Sequence, residues 1–556
     1  KIRIIVPYVG GGFGGKLEAF SHEICAAKFA LMLRRPVKFT LTREEVFYTH
    51  RGRHPAWLKM RTGVKKDGTI TALQVCSLLD GGAYGSYGAA ATYYQGALEP
   101  TTYRIPAYRF QAARFYTNKP PCGPKRGHGT PQPRAALEVH LDKVAEKLGI
   151  SPVQLRLKNL ISPNSITMNY LKITSCGLKE CIDKVLSASR FEELRGKLPF
   201  GQGIGFAVGS YLCGAAFPLY YSDMPHSVVN IRINERKQIE VFSGHTEIGQ
   251  GSDQMILTVV SRVLGISPYS IRLIRSDSLL APVDLGSYSS RVTMMVGNAA
   301  REAATRLKER ISQILAPELG VSPHDLIFSD NRIYSSQYPE KNISFEEALD
   351  IVVRKNGEFS ATGAYTPPKP LGEYKGRGVG PSPSYSFNAC CVLLTVDTET
   401  GKTKVEKVWL AHDIGRVLHR KSAEGQVVGS VYMALGEVFM EEQAFLPSGV
   451  HRCPSMLEYK SPTFLEMPEV EVFFIEGGDP EGPFGAKEVG QGPLLPVVPA
   501  TLNALYDAIG VRFDEIPVTP EKILFALQRK VQRVGPKSYP PFSFPPPLKV
   551  SPPEGF

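Results

Sequence analysis

Closely spaced cysteines are missing from this sequence. Its nine cysteines are an odd number, and no two of them have C-x-x-C spacing. Because iron–sulfur clusters and structural zinc ions are held by closely spaced thiolates, neither is expected within this chain. The vicinal pair Cys390–Cys391 lies in the apolar run ACCVLL, which predicts core positions. Reduced and mostly buried thiols are therefore expected, as in a cytoplasmic protein.

Long apolar runs and dense basic runs are also missing. A membrane-spanning helix needs about 18 or more consecutive apolar residues, so no membrane span is predicted. The net charge is +12, but Lys and Arg are dispersed and are not interleaved with aromatic residues, so nucleic acid is not the expected partner. The charge fits an anionic substrate or an acidic partner subunit.

The length of the chain exceeds what one hydrophobic core supports. At 556 residues, two or more domains are expected. Helical and strand patterns alternate, which predicts an α+β fold in two unequal domains. We predict a first region over residues 1–150, a connecting region over 151–200, a second region over 201–534 and a proline-rich extended tail over 535–556. The opening residues IRIIVPYV predict a strand, so the chain is expected to start inside a fold element, as a fragment or one piece of a split subunit would.

Four glycine loops are the most informative feature of the sequence: GGGFGGK, GPKRGHG, GQG and GAKEVGQG. The first is not a Walker A loop, because its GK is followed by Leu17 rather than Ser or Thr. Each loop carries a side chain able to hydrogen-bond a large polar cofactor. No Cys, His or carboxylate cluster with metal-ligand spacing accompanies them. The loops therefore predict a bulky cofactor that is held by backbone amides and brings its own metal ligands.

These motifs carry a resemblance to a known family. GGGFGGK, KRGHGTPQPRAALE, GHTEIGQGSDQ and GPFGAKEVGQGPLLPVVPATLNAL occur in the order found in the molybdenum subunit of the xanthine oxidase family, which the chain resembles up to about residue 530. Within that family, TNKPPCGPKRGHGTPQPR and DLGSYSSRVTMMVGNAA look most like the 4-hydroxybenzoyl-CoA reductase α subunit and its relatives.

The resemblance implies a cofactor, partners and a reaction. The cofactor is molybdenum with molybdopterin, in its cytosine dinucleotide form, and the metal is held by the pterin dithiolene without a protein ligand. Partner subunits carry [2Fe–2S] clusters and FAD. The reaction is hydroxylation or reductive dehydroxylation of an organic substrate. The family subunit also has an N-terminal section before GGGFGGK that this sequence lacks, and a separate chain is one expected source of it.

The resemblance also assigns roles to individual positions. Phe13 and Gly14 are expected beside the molybdenum, Arg126 at the border of cofactor and substrate, and Gln250 in a hydrogen bond to the pterin. The remaining cofactor contacts implied in this way are Gly12, Gly127, Gly249, Gly251, Ser287, Ser289, Ser290, Lys487 and Gly490.

Substrate positions differ from those of the xanthine-oxidising members. His128 stands where those members carry an aromatic ring that sandwiches a purine, and Phe217 matches the second ring. Leu17 replaces a glutamate, and Tyr94, next to Tyr93, falls about where an arginine is expected. These changes disfavour xanthine. They favour a flat, less polar aromatic or heteroaromatic substrate, either free or as a CoA thioester.

Position 491 departs from the family most sharply. The family carries a glutamate there, which takes a proton from an oxygen ligand of the molybdenum, whereas this chain has Gln491. A primary amide cannot act as that base, and general-base assistance is typically worth about 10²–10⁴-fold. Four residues are accordingly assigned to catalysis: Gln491, Arg126, Phe13 and Glu488.

Three interpretations of Gln491 remain open. The chain belongs to a redox enzyme in which another group, such as Glu488, or a water moves the proton. Alternatively, it belongs to a non-redox hydratase that uses the same cofactor. The third interpretation is an inactive or base-less variant that acts as a binding subunit.

Overall fold

The computed structural model of the protein describes residues 2–217, 223–372, 378–535, 539–544 and 546, and it combines helices with several sheets. The helices are α1 (Ser21–Leu33), α2 (Arg43–Thr49), α3 (Gly88–Ala97), α4 (Pro131–Leu148), α5 (Pro152–Asn159), α6 (Leu178–Ser189), α7 (Phe191–Leu194), α8 (Ser252–Leu264), α9 (Val292–Leu319), α10 (Phe345–Asn356), α11 (Arg420–Phe439), α12 (Val497–Ile509) and α13 (Pro520–Arg529). The strands are β1 (Ala56–Val64), β2 (Ile70–Asp80), β3 (Tyr108–Phe115), β4 (Ser165–Ile166), β5 (Lys172–Ile173), β6 (Gln202–Leu212), β7 (Ser227–Ile233), β8 (Ile239–Ser243), β9 (Ile271–Arg275), β10 (Leu326–Ser329), β11 (Arg332–Ser335), β12 (Asn342–Ser344), β13 (Phe359–Tyr365), β14 (Tyr385–Val396), β15 (Thr403–Asp413), β16 (Glu469–Ile475), β17 (Arg512–Phe513) and β18 (Arg533–Val534).

The larger core is built on a four-stranded sheet with the order β16-β15-β14-β6. Strand β14 pairs antiparallel with β6 and β15, whereas β16 runs parallel to β15. Helix α12 packs across β6 and β14. Its close approach depends on Gly205, because a Cβ there would lie 2.0 Å from the carbonyl oxygen of Ala500.

The smaller core lies between the sheet β13-β7-β8-β9 and helices α8 and α9. Buried and half-buried residues alternate along β7, so one face of this strand packs onto the helices. Val229, Ile231 and Ile233 form that buried face.

Buried charges on α4 tie this helix to α5, to β6 and to the segment before β3. The Glu138 carboxylate accepts hydrogen bonds from the Tyr103 hydroxyl (2.7 Å), Arg156 Nε (2.7 Å) and the Val208 backbone N–H (3.1 Å). On the same helix, Arg134 lies 3.5 Å from the buried Glu99. Because α4 begins directly after the GPKRGHG loop, these bonds also fix the position of that loop.

The predicted mixed α+β fold in two parts is confirmed, but the buried cores do not follow the predicted boundaries at 150, 200 and 534. The larger core takes residues from 70–212 and again from 385–526, and the smaller core takes residues from 229–361. The pairing of β6 with β14 brings distant parts of the chain together, and local periodicity does not reveal such a pairing.

Two predictions near the ends of the chain had different outcomes. The predicted strand IRIIVPYV is wrong, because residues 2–9 form only an isolated bridge between Ile5 and Asp277. The predicted tail over 535–556 lies largely outside the described residues, and 539–544 form neither helix nor strand. In the part of the chain that the structure describes, no helix is long and apolar enough to cross a membrane.

Candidate cofactor site

All four glycine loops contribute to the lining of one cavity. Its volume is about 2370 Å³. Drug-sized ligands usually occupy roughly 300–1,000 Å³, so this space suits a large cofactor together with a substrate. The predicted site residues that line it are Gly12, Phe13, Gly14, Leu17, Arg126, His128, Gly249, Gln250, Ser287, Ser289, Ser290, Glu488, Gly490 and Gln491. The ordered motifs therefore converge in space.

The side chain of Glu488 stabilises the GAKEVGQG loop through hydrogen bonds. This buried carboxylate accepts hydrogen bonds from the backbone N–H groups of Gln491 (2.9 Å) and Gly492 (3.1 Å) and from the Ser386 hydroxyl. His412 Nε2 donates to the Glu488 carbonyl oxygen at 2.7 Å. Oε1 accepts two of the loop hydrogen bonds and Oε2 accepts one, so Glu488 closes the turn of the loop and keeps one acceptor position on Oε2.

Lys487 lies outside the cavity lining, contrary to the cofactor contact predicted for it. Its ammonium is buried and donates to Asp413 at 2.7 Å, with Asp479 at 4.0 Å. Burial is the largest influence and by itself would lower the pKa of Lys487, but the Asp413 and Asp479 carboxylates and the neighbouring Cys213 together outweigh it, so the pKa lies above its ordinary value. Asp479 in turn accepts from the hydroxyls of Thr174 (2.8 Å) and Ser384 (2.8 Å). This ion pair anchors the loop to the core.

Gln491 and the GPKRGHG loop are joined by a direct hydrogen bond. The Gly127 backbone N–H donates to Gln491 Oε1 at 2.8 Å. A backbone N–H requires an acceptor, so the bond fixes the amide orientation, and Nε2 has no hydrogen bond to any residue that the structure describes. Gln491 therefore presents a hydrogen-bond donor to the cavity at the position where the resemblance leads one to expect an acceptor.

Arg126 connects the same two loops to α11. Its Nε donates to the Gly490 carbonyl oxygen at 2.5 Å, and Nη2 donates to the Gln426 carbonyl oxygen at 2.9 Å. Burial lowers the pKa of Arg126 to about 10, with Glu488 acting in the opposite direction. The guanidinium thus stays charged at neutral pH and adds positive charge to the cavity wall.

The GGGFGGK loop packs against two of the other loops. The Phe13 carbonyl oxygen accepts from the Arg126 backbone N–H at 2.8 Å. Gly14 has φ +100° and lies so near Pro124 that a Cβ would be 2.8 Å from its carbonyl oxygen, so only glycine fits. At Gly12 a Cβ would lie 3.2 Å from Ile248 of the loop before GQG.

The GQG loop is organised by an acid that the sequence reasoning did not select. The Glu247 carboxylate accepts from the backbone N–H groups of Gly249 (2.8 Å), Gly251 (3.1 Å) and Asp253 (2.9 Å). Gln250 bonds within the same loop, because its Nε2 donates to the Thr246 carbonyl oxygen at 3.1 Å and to Ser252 Oγ at 2.9 Å. A carboxylate just before a glycine loop is the signal by which Glu247 could have been found.

The serine segment 287–290 lines the cavity next to Gly490. Ser287 Oγ donates to the Thr246 carbonyl oxygen at 2.8 Å, which ties the segment to the GQG loop. Ser289 and Ser290 have φ of +48° and +52°, a left-handed conformation that non-glycine residues adopt infrequently. Ser290 Oγ is buried and has no partner among the described residues. A Cβ at Gly490 would lie 3.0 Å from it.

Of the predicted substrate residues, Leu17 and His128 line the cavity, whereas Tyr93, Tyr94 and Phe217 do not. Tyr94 is buried behind His128, with ring centroids 5.5 Å apart. The His128 ring makes a hydrogen bond to the Tyr87 backbone, yet its Nε2 has no partner in the described part of the chain, so Nδ1 makes that bond. Burial lowers the pKa of His128 to about 4, so the ring is neutral and Nε2 is an acceptor.

These features fit a bulky cofactor that carries its own metal ligands. Over the described ranges, no group of three or more His, Cys, Asp or Glu side chains is arranged to hold a metal ion. Gly10 and Gly249 face open space, since a Cβ added at either would meet no atom within 4 Å. The unpartnered Ser290 hydroxyl adds a buried polar group that a ligand would satisfy. The four loops and the serine segment thus offer backbone amides and hydroxyls rather than a cluster of metal ligands.

Comparison with known proteins agrees with this site. The molybdopterin cofactor-binding domain family matches residues 1–160 and 184–468. The chain is 32% identical over 538 residues to the xanthine dehydrogenase molybdenum-binding subunit of Escherichia coli O157:H7, covering 94% of this chain and 69% of that protein. It is 26% identical to the nicotine 6-hydroxylase large subunit of Paenarthrobacter nicotinovorans, covering 97% of this chain and 68% of that protein.

A solved structure shares the fold. The Cu,Mo-CO dehydrogenase in its carbon monoxide reduced state superposes with a TM-score of 0.84 at 25% identity, covering 95% of this chain and 69% of that chain. The chain therefore belongs to the molybdopterin cofactor-binding family of xanthine oxidase-type molybdenum subunits. Similarity to 4-hydroxybenzoyl-CoA reductase in particular is not shown.

Proposed function

We propose that this chain is the molybdenum subunit of an oxidoreductase that hydroxylates, or reductively dehydroxylates, an aromatic or heteroaromatic compound, either free or as a CoA thioester. The single observation that carries the proposal is the convergence of four glycine loops on one cavity of about 2370 Å³. The cofactor, in its cytosine dinucleotide form, supplies a two-electron redox centre when it is bound. [2Fe–2S] clusters and FAD on partner subunits are proposed to carry the electrons.

In this proposal, Gln491 binds and orients a ligand and does not transfer a proton. The Gln491 amide is locked by the Gly127 N–H at 2.8 Å, so its Nε2 donates a hydrogen bond toward the cavity. Backbone amides of the GGGFGGK and GQG loops and the hydroxyls of Ser287, Ser289 and Ser290 are proposed to hold the pterin and its phosphates. The charged Arg126 favours negative charge on the bound groups.

An aromatic substrate with a hydrogen-bond donor suits the substrate side of the cavity. Leu17 supplies an apolar wall, and His128 supplies a flat ring that is neutral at physiological pH. The unpartnered Nε2 accepts a hydrogen bond, so a ring N–H or a phenolic O–H would satisfy it, whereas an aromatic hydrocarbon would not. One relative is named for hydroxylation of a heteroaromatic compound, nicotine, which supports this substrate class.

A second candidate is a non-redox hydratase or a base-less binding subunit. It is favoured by the donor that Gln491 presents, since a primary amide is not a base, and by the three hydrogen bonds that already engage the Glu488 carboxylate inside the loop.

The first experiment is the measurement of molybdenum and pterin nucleotide content per chain in the complex purified from its source. About one of each is expected, because the site encloses one large cofactor. A folded complex without molybdenum would overturn the proposal. Anaerobic addition of aromatic acids and their thioesters separates the candidates. A hydroxylation substrate reduces the oxidised complex and bleaches its iron–sulfur absorption, and a substrate of reductive dehydroxylation restores that absorption in the pre-reduced complex. A hydratase substrate changes neither.

A further inference from the structure

A second cavity is lined by α9, by the end of β13 and by the turn that begins at Pro480. Its volume is about 530 Å³, which falls within the roughly 300–1,000 Å³ that small-molecule sites occupy. It shares no lining residue with the cofactor cavity. Its lining positions on α9 follow one face of that helix, at residues 298, 301, 302, 305, 306 and 309. The second cavity is therefore a separate candidate site.

A buried amide oxygen in the second cavity has no hydrogen-bond partner. Asn298 is only 5% exposed, and its Nδ2 donates to the carbonyl oxygens of Met294 (2.8 Å) and Glu481 (2.8 Å). Because both of these partners are acceptors, the amide orientation is fixed and Oδ1 is the remaining acceptor. No described residue donates to that oxygen. Since a buried acceptor without a donor is costly, a ligand N–H at this position would be favourable.

The Tyr365 hydroxyl is a second buried polar group in the cavity that has no hydrogen-bond partner among the described residues. Burial raises the pKa of Tyr365, with Glu481 acting in the same direction and Arg301 in the opposite one. The hydroxyl therefore stays protonated at physiological pH and can donate a hydrogen bond. Its interaction with both charges also shows that Glu481 and Arg301 lie near the same point of the cavity.

Two opposite charges line the cavity without pairing. Arg301 and Glu481 are both half-buried, and neither makes an ion pair with the other or with any other residue that the structure describes. By contrast, Arg306 and Glu302 pair with each other at 2.5 Å. Glu309 is exposed and lies about 12 Å along α9 from Arg301, at the other end of the lining face. Unpaired charges of both signs at one end of a cavity are complementary to a ligand that carries both signs.

We propose that the second cavity binds a free α-amino acid. The α-carboxylate pairs with Arg301 and accepts a hydrogen bond from the Tyr365 hydroxyl. The α-ammonium pairs with Glu481 and donates to Asn298 Oδ1. A simple anion would leave Glu481 and Asn298 without partners, and a simple cation would leave Arg301 unpaired, so a zwitterion suits the site best. The proposal goes beyond the proposed function, and no part of it depends on molybdenum or on turnover.

The second cavity adjoins the turn that leads into the GAKEVGQG loop. Pro480 and Glu481 of this turn line the cavity, and the Glu481 carbonyl oxygen accepts from Asn298. The turn also packs tightly on α9, because a Cβ at Gly297 would lie 2.8 Å from Pro483. An amino acid bound between Arg301 of α9 and Glu481 therefore adds a link between this helix and the start of the loop.

Saturation-transfer NMR on the complex purified from its source, with the twenty common α-amino acids as probes, tests the proposal. At least one is expected to bind, and calorimetry then gives its Kd. The matching α-hydroxy acid lacks the ammonium, and the matching primary amide lacks the carboxylate. Each should bind about tenfold or more weakly, because each loses a charged hydrogen-bonding partner. Absence of binding by all twenty, or equal affinity for the three matched compounds, would overturn the proposal.

A set of variants locates the binding. Arg301→Met and Glu481→Gln each remove one charge from the cavity and should each raise the Kd of the complex about tenfold or more. Arg354→Met is the control, because this exposed arginine of α10 does not line the cavity, and it should leave the Kd unchanged. Circular dichroism checks that each variant is folded.

An unchanged Kd in both cavity variants would mean that the amino acid binds elsewhere and would refute the proposal. Molybdenum content is read separately. A complex that lacks molybdenum but binds the amino acid refutes the proposed function and leaves the second site intact, whereas a complex that contains molybdenum but binds no amino acid does the reverse.

Discussion

Two helices of this chain are equal in length and similarly apolar, yet they lie in opposite environments. Both α1 and α12 have 13 residues. Nearly every residue of α12 is buried against β6 and β14, whereas no residue of α1 is buried. Each helix adjoins a glycine loop of the cavity, since α1 follows GGGFGGK and α12 follows GAKEVGQG. Composition alone therefore does not determine burial; what differs is whether the described residues supply an opposing surface.

The difference divides the cavity into an anchored wall and an uncovered wall. The anchored wall, residues 483–509, is fixed by the Lys487–Asp413 ion pair, the Glu488 turn and the packing of α12. The uncovered wall, residues 10–41, is tied to the rest mainly through loop contacts such as the Arg126 N–H to the Phe13 carbonyl oxygen. The position of Gln491 is thus set by the core, and the position of Phe13 depends on its neighbours.

The largest effect is expected at Lys487. Lys487→Met leaves the buried Asp413 and Asp479 carboxylates without their cation, and the removal of one partner of a buried pair typically costs roughly 3–5 kcal/mol. Urea unfolding of the two chains measures this loss. Lys179→Met, which breaks an exposed pair with Asp183, serves as the control and should leave the free energy of unfolding unchanged within error. Equal stability of the Lys487→Met and parent chains would show that the anchored wall does not depend on this pair.

The second effect concerns chemistry at the anchored wall. Gln491→Glu keeps an oxygen to accept the Gly127 N–H and replaces the donor Nε2 by a second acceptor. If proton removal limits turnover, activity of the assembled enzyme should rise by roughly 10²–10⁴-fold, the usual worth of a general base. Steady-state assays with one aromatic substrate measure it, and Gln491→Met is the control that lacks both polar groups. An unchanged rate for Gln491→Glu would mean that another group already moves the proton.

The sequence predicts which residues form the anchored wall better than it predicts which residues hold that wall in place. The resemblance, which the order of the motifs carries, implies that the four glycine loops share one cofactor. All four loops line one cavity. The resemblance assigns Lys487 to the cofactor because it lies in a glycine loop, but its partner Asp413 is 74 residues away at the end of β15. Cys213, Ser386 and His412 also support the loop from distant strands. Local patterns carry no trace of such long-range contacts, so these residues could not be found from the sequence.

In the uncovered wall, it is the prediction of local structure that fails at one segment. Helix α1 forms directly after the GGGFGGK loop, whereas the strand predicted for IRIIVPYV does not form. A strand needs a neighbouring strand to satisfy its backbone groups, and residues 2–9 have only the isolated bridge at Ile5. Periodicity predicts which secondary structure a segment can adopt, but contacts with neighbouring segments determine whether that structure forms.

A third, intermediate effect is a pH dependence of stability that arises at Glu99. Burial raises the pKa of Glu99 to about 7 despite the nearby Arg134. An acid whose pKa is raised on folding binds more protons in the folded state, so its contribution to stability falls as pH rises from its unfolded pKa toward 7. Glu99→Gln removes this titration. The parent chain should therefore lose stability relative to the variant between about pH 5 and 7, by at most about 1.4 kcal/mol per pH unit. A difference that stays constant over this range in chemical unfolding would contradict the prediction.

The smallest effect is expected in α1. The same change, leucine to alanine, made once in α12 and once in α1 compares the two walls directly. Leu505→Ala in α12 removes a fully buried side chain and should cost roughly 2–5 kcal/mol of unfolding free energy. Leu31→Ala in α1 removes a side chain that is 74% exposed, so the isolated chain should change by no more than about 0.5 kcal/mol. A large loss of stability in the isolated chain would mean that α1 already has a core to pack against, and the distinction between the two walls would disappear.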